Sequence, residues 1–300
     1  MSNGINKTQI ELEKESENEM KKFQEQLELE KKIGKHIIFI QSGLKLDSAF
    51  SFSQYIFKNI RLITMIGEKH EKSWLCPKPS ISISEYCRQS VVRNPKCKIM
   101  LEYNKGDDAS RIGSKAIRDT YSELKKIGKL NVVIPFDTRA FFLGVEGQTD
   151  LYGLGYNKHA TSWKKLGDDF IEPFFSKSRA DPKLFILEEE NYDSHIRQYL
   201  NSYVKKIEQT FYKIASHFNK ISGERIHQML KDVWKDVADF FILKYLLRND
   251  DNTDEYIIIL GLAHYDNLIK ILKDTTINLV HRIGDSKDCV KLFQTYRFDD

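Results

Sequence analysis

The chain lacks the motifs that most directly identify an enzyme. It has no Gly-x-Ser-x-Gly elbow, no P-loop, no Gly-x-Gly-x-x-Gly and no His-Glu-x-x-His. Serine-hydrolase, kinase and dinucleotide readings lose most of their weight. Cysteine is scarce: Cys76, Cys87, Cys97 and Cys289 are the four in 300 residues, and none forms a Cys-x-x-Cys pair. A zinc ribbon and a thioredoxin-type motif are therefore excluded. Four free thiols are expected, which suits a reducing compartment. No stretch approaches the apolar length needed to span a bilayer. The opening residues, MSNGINKTQIELEKE, hold no apolar signal core. The expected setting is thus cytoplasmic, within a cell or host cell, or inside a virion, and not secreted. An excess of one charge is also missing. Lys and Arg number 47 against 43 Asp and Glu, with the signs interspersed and a net charge of +4. That is a mixed surface without a basic block, so no nucleic-acid partner is expected.

What is present is enough for a sizeable core. Hydrophobic residues make up 41% and aromatic residues 12%, and the length fits one large domain or two small ones. Residues 1–34 form a charged N-terminal segment. Within it, KTQIELEKESENEMKKFQEQLELEKKI (7–33) is dense in helix formers, with Met20, Phe23 and Leu27 as a thin apolar stripe. It reads as a solvated helix, as a coiled coil through which chains self-associate, or as disorder.

Residues 35–300 read as a single α/β domain. Strands are expected at HIIFI (36–40), NIRLITMIG (59–67), CKIMLEYN (97–104), 130–136, YIIILG (256–261) and TINLVHRIG (276–284). Helices are expected at 85–93, capped by Ser82 or Ser84, and at 109–127 and 265–273. Residues 141–184 read as an irregular, lid-like insertion. A long helical pair is expected over 190–247, with Tyr199, Tyr203, Ile207, Phe211, Ile214 and Phe218 at three- and four-residue steps. Apolar strands alternating with helices predict an α/β fold with a mostly parallel central sheet flanked by helices. In such sheets ligands collect beyond the carboxyl ends of the strands.

Those ends carry chemistry. RLITMI is followed by Gly67, Glu68, Lys69 and His70. KIMLEY carries Glu102. VVIPF runs into Asp137 and Arg139, and IIIL into Gly261, Leu262, Ala263 and His264. One polar residue after a strand is simply where a loop begins. Four such endings on neighbouring strands predict a shared crevice, with Gly67 turning the backbone sharply out of the sheet.

"IGEKHE" (66–71), "SISEYCRQSVVRNPKCKIMLEYN" (82–104) and "IIILGLAHYDNLIKIL" (257–272), in that order, resemble the superfamily of erythromycin esterase-like, ChaN-like and TraB/Tiki-like proteins. "PFDTR" (135–139) is a further candidate element. The resemblance spans roughly residues 60 to 285 and leaves the N-terminal segment and 141–184 without counterparts. It implies that Glu68, His70, Glu102 and His264 form the catalytic or metal-binding set. Tiki-like members are metal-dependent peptidases, and erythromycin esterase-like members open a lactone with a histidine base. The resemblance implies a site rather than a substrate.

Two imidazoles and two carboxylates suit Mn²⁺, Co²⁺ or Zn²⁺, which would acidify a bound water. Without a metal, His70 could take a proton from water while Glu68 or Glu102 orients the ring. Asp137 and Arg139 are the candidate substrate-binding residues; an Arg139 ion pair with Asp137 or Glu146 is the plain alternative. The resulting expectation is a hydrolase of a peptide or ester bond in a small-molecule or peptide substrate. The alternative is a non-catalytic member of the fold, acting as an interaction or structural protein. A composition rich in Lys, Ile and Asn points to an AT-rich genome, such as that of a large DNA virus.

Overall fold

The computed structural model describes residues 37–41, 44–58, 61–69, 75–103, 112–137, 187, 191–217, 223–249, 252–273, 278–283, 289–292 and 294–298. The charged segment 1–34, His70, Arg139 and the 141–184 insertion lie outside them.

The protein is α/β, with a mostly parallel central sheet flanked by helices. That sheet has six strands: β3 (Ala49–Phe57), β4 (Arg61–Glu68), β6 (Cys97–Leu101), β7 (Val133–Pro135), β8 (Glu255–Gly261) and β9 (Asn278–Ile283), in the order β7-β6-β8-β4-β3-β9. Strands β7, β6, β8 and β4 are parallel neighbours. β3 runs antiparallel to both β4 and β9. The Ser- and aromatic-rich stretch of β3, AFSFSQYIF, for which no element is expected above, is thus the reversed strand, and its polar Ser51, Ser53 and Gln54 are fully buried. β4 and β8 are buried along their whole lengths, as strands covered on both faces must be.

Five helices are described: α1 (Ile83–Arg93), α2 (Lys115–Lys126), α3 (Ser194–His217), α4 (Gly223–Leu246) and α5 (Leu262–Lys273). Ser82 caps α1, its Oγ accepting from the Glu85 N–H at 3.0 Å, and Ser114 caps α2 in the same way. On one face of the sheet, Ile63, Met65, Met100, Ile258 and Leu260 pack with the buried sides of α3, α4 and α5. On the other, Ile66, Ile99, Leu101, Ile257 and Ile259 pack with α1 and α2. The alternation of these names along each strand is the pleat itself.

Smaller pieces complete the fold. β2 (Lys45–Asp47) pairs parallel with β5 (Ser80–Ser82) and antiparallel with β10 (Val290–Lys291). β1 (Ile37–Gln41) pairs with β11 (Gln294–Phe298). Beside the first group, Cys76 and Cys289 form a disulfide with a Cα–Cα distance of 5.7 Å. This corrects the expectation of four free thiols: only Cys87 and Cys97 are free, and both are buried. A spacing of 213 residues hid the pairing, because only tertiary folding brings the two together. Among the described residues, no helix is long and apolar enough to cross a membrane.

Gly67 also differs from expectation. It lies inside β4 rather than at a turn. A Cβ there would come within 3.0 Å of Leu262 Cδ2 and 3.2 Å of both Ser51 Cβ and Tyr265 Cδ2. The glycine allows α5 to lie directly on β4.

Candidate functional site

The carboxyl edge of the sheet brings together Glu102 and His264. Glu102 is the first residue beyond β6. His264 is the third residue of α5, which begins at Leu262 with no loop after β8. The Gly261 N–H at this junction donates to Glu102 Oε2 at 3.1 Å. A carboxylate there also meets the positive end of the helix dipole. The other oxygen, Oε1, lies 3.8 Å from His264 Nε2, and the two side chains keep 14% and 15% of their surface exposed. The imidazole is close to water but not bathed in it.

The opposite side of the ring is fully enclosed. His264 Nδ1 lies 2.7 Å from Oδ1 of Asp239, a carboxylate with no exposed surface. Asn267, one turn further along α5, donates its amide to Asp239 Oδ2. Phe136 packs edge-on against the imidazole with centroids 6.4 Å apart. Burial alone would lower the His264 pKa. The hydrogen bond and charge of Asp239, with the charge of Glu102, outweigh it, so the net direction is up. Burial pushes the Asp239 carboxyl up against the pull of His264 and Asn267. Both shifts favour keeping a proton within the pair.

Glu68 stands apart. It is buried and pairs in register with Gly261. Gly67 faces Leu262 and Tyr265 of α5, so the pleat turns Glu68 toward the α1–α2 face, whereas Glu102 and His264 meet on the α3–α5 side. Asp137 follows Phe136 beyond β7, with its N–H donating to the Tyr103 carbonyl at 3.3 Å. His70 and Arg139 fall outside the described residues.

Asp239, Asn267 and Phe136 were missed by sequence reasoning. The available signal was an acid in a buried stripe: Asp239 lies three residues before Ile242 and four before Leu243, both fully buried. An acid at such a position needs a partner.

A divalent metal was among the expectations. His264 Nε2 and Glu102 Oε1 are suitable donors, and Asp239 behind the ring is the usual second support of a metal-bound histidine. A catalytic zinc takes three protein donors. Among the described residues no group of three His, Cys, Asp or Glu side chains is arranged to hold a metal. His264 and Glu102 alone do not complete such a centre, and the expected His70 lies outside the described residues.

No family model, no curated protein and no solved structure matches this chain.

Proposed function

We propose that the chain is a hydrolase of ester or amide bonds in which His264 carries the proton. The observation supporting this is the Asp239–His264–Glu102 arrangement: a fully buried acid 2.7 Å from Nδ1, with Nε2 turned toward a carboxylate 3.8 Å away at a partly open edge. That gap is too long for a direct hydrogen bond and suits a bridging water. Nε2 takes a proton from this water as its oxygen attacks the substrate carbonyl. Asp239 and Glu102 stabilise the imidazolium that results. The imidazolium then returns the proton to the leaving oxygen or nitrogen, releasing an acid and an alcohol or amine. Asp137, at the same strand edge, is a substrate-binding candidate. The resemblance to erythromycin esterase-like proteins supports this reading, since a histidine base performs their reaction.

His264 must be neutral to act as base. Because its pKa is raised, the acid limb of kcat/KM should lie above the ordinary histidine value of about 6.5. The test is hydrolysis of a p-nitrophenyl ester and of a chromogenic peptide amide by the purified full chain and by His264→Ala, with elemental analysis of the same preparation for metal. Turnover that falls to background in a folded His264→Ala protein is the expected result. Equal turnover by the two proteins would remove His264 from the chemistry, and no turnover by either would leave the non-catalytic interaction or structural role as the better account.

A further inference from the structure

Behind Asp239 the polar contacts continue into the helical layer. Asn267 donates to Asp239 Oδ2, and the Tyr203 hydroxyl of α3 lies near enough to Asp236 and Asp239 that their charges, after burial, push its pKa up. That hydroxyl donates to Asp236 Oδ1 at 3.2 Å, and Asp236 Oδ2 lies 3.5 Å from the surface ammonium of Lys206. Tyr203 is 7% exposed and its ring stacks on Phe240 at 6.4 Å, so its hydroxyl is held in place by packing. Three helices thus place polar groups around Asp239, and the Asn267 amide limits the rotation of its carboxylate.

We infer that Asn267 is a positioning residue that holds Asp239 so that His264 carries its proton on Nδ1 and presents the lone pair of Nε2 to the open edge. Which ring nitrogen of a neutral histidine is protonated depends on the hydrogen bond the other makes. Asp239 makes that bond only if its carboxylate cannot swing away. The charged and titratable groups facing the pair are Glu102 from the sheet, Lys235 and Asp236 from α4, and Tyr203 from α3. The consequence for turnover rests on the hydrolytic reading above; the tautomer does not.

The experiment is long-range ¹H–¹⁵N correlation on full-length protein labelled at histidine, at a pH where the ring is neutral. The His264 signals are identified by their loss in His264→Gln. The wild type should show the Nδ1–H form. Asn267→Ala should move it to a mixture or to the Nε2–H form, with kcat falling about 10- to 100-fold and KM little changed. An unaltered Nδ1–H signature in the folded variants would overturn the inference. If Asn267→Ala does not fold, Asn267→Leu, which keeps the side chain's volume and removes the donor, decides on the same criterion. A shifted tautomer in a protein whose wild type hydrolyses nothing would uphold the positioning and overturn the hydrolytic reading.

Discussion

Two fully buried acids stand at opposite ends of the sheet, and burial raises both carboxyl pKa values. Asp239, toward the carboxyl edge, meets His264 and Asn267, and the histidine reaches partly exposed space. Glu255, at the amino end of β8, has a weak 3.4 Å contact from Asn94 to Oε2, and Oε1 has no hydrogen-bond partner among the described residues. Its neighbourhood includes the thiols of Cys87 and Cys97, whose own pKa values rise through burial first and the charge of Glu255 second. Burial makes an acid unusual, but it does not make a site. The hydrolytic reading also needs a group that can pass a proton on at a face that water reaches, and at the Asp239 end His264 is that group, with 15% of its side chain exposed.

The largest difference between the two ends should be in turnover. Asp239→Asn should lower ester hydrolysis by about 10³-fold, or roughly 4 kcal/mol of barrier, because the ring loses its orienting anion. It should also move the acid limb of the pH profile downward, since burial then acts on His264 without the opposing carboxylate. Glu255→Gln should leave the rate within about twofold. A reversed pattern would mean that the wrong end has been assigned.

Stability should separate the faces next. Gly67→Ala should destabilise by about 1–3 kcal/mol, because its methyl meets Leu262, Tyr265 and Ser51 on the α5 side. Gly113, near the start of α2, has open space at its Cβ position. Gly113→Ala should therefore be neutral or slightly stabilising, by up to about 1 kcal/mol. Denaturant midpoints of the two variants check this.

The pH dependence of stability should follow from Glu255 and His264, whose pKa values are both raised in the folded protein. A folded-state pKa raised above the unfolded value means that the native protein binds the extra proton. Stability is then full below the unfolded value and is lost as pH rises through the folded one. For Glu255 the loss begins above the ordinary carboxyl range; for His264 it begins above about 6.5. Melting curves from pH 5 to 9 should fall less steeply for Glu255→Gln in the first window and for His264→Gln in the second. Identical slopes in wild type and variants would contradict the assigned shifts.

The smallest expected signal is silence. Cys87 and Cys97 are buried with raised pKa values, so Ellman's reagent should find no reactive thiol in the native oxidised protein. Mild reduction should expose the two of the Cys76–Cys289 bond, and denaturation after reduction should expose all four. A fast-reacting thiol before reduction would show that the Glu255 end is open.

Parts of this were legible in the sequence for local reasons. Unbroken apolar runs such as YIIIL and RLITMI can only be strands covered on both faces, and in a parallel sheet their carboxyl ends gather polar residues. Glu102 and His264 were singled out that way, and the structure brings them within 3.8 Å of each other. Ser82 announced a helix start, because a hydroxyl before an amphipathic run satisfies free N–H groups. Strand β3 was obscure because serines and Gln54 break its apolar pattern, although cross-strand partners such as Thr64, which accepts from Gln54 at 3.1 Å, satisfy some of the buried polar atoms.

What the sequence determined by itself was the local part: which segments form strands, where helices begin, and which residues leave the sheet at its carboxyl edge. These depend on periodicity and on neighbours a few residues away. Tertiary structure alone decided that Glu68 turns to one face and Glu102 to the other, that Asp239 lies behind His264 from 25 residues away, and that Cys76 finds Cys289. A one-residue change in strand phase reverses a side chain, and contacts between distant segments exist only once helices have docked on a common sheet.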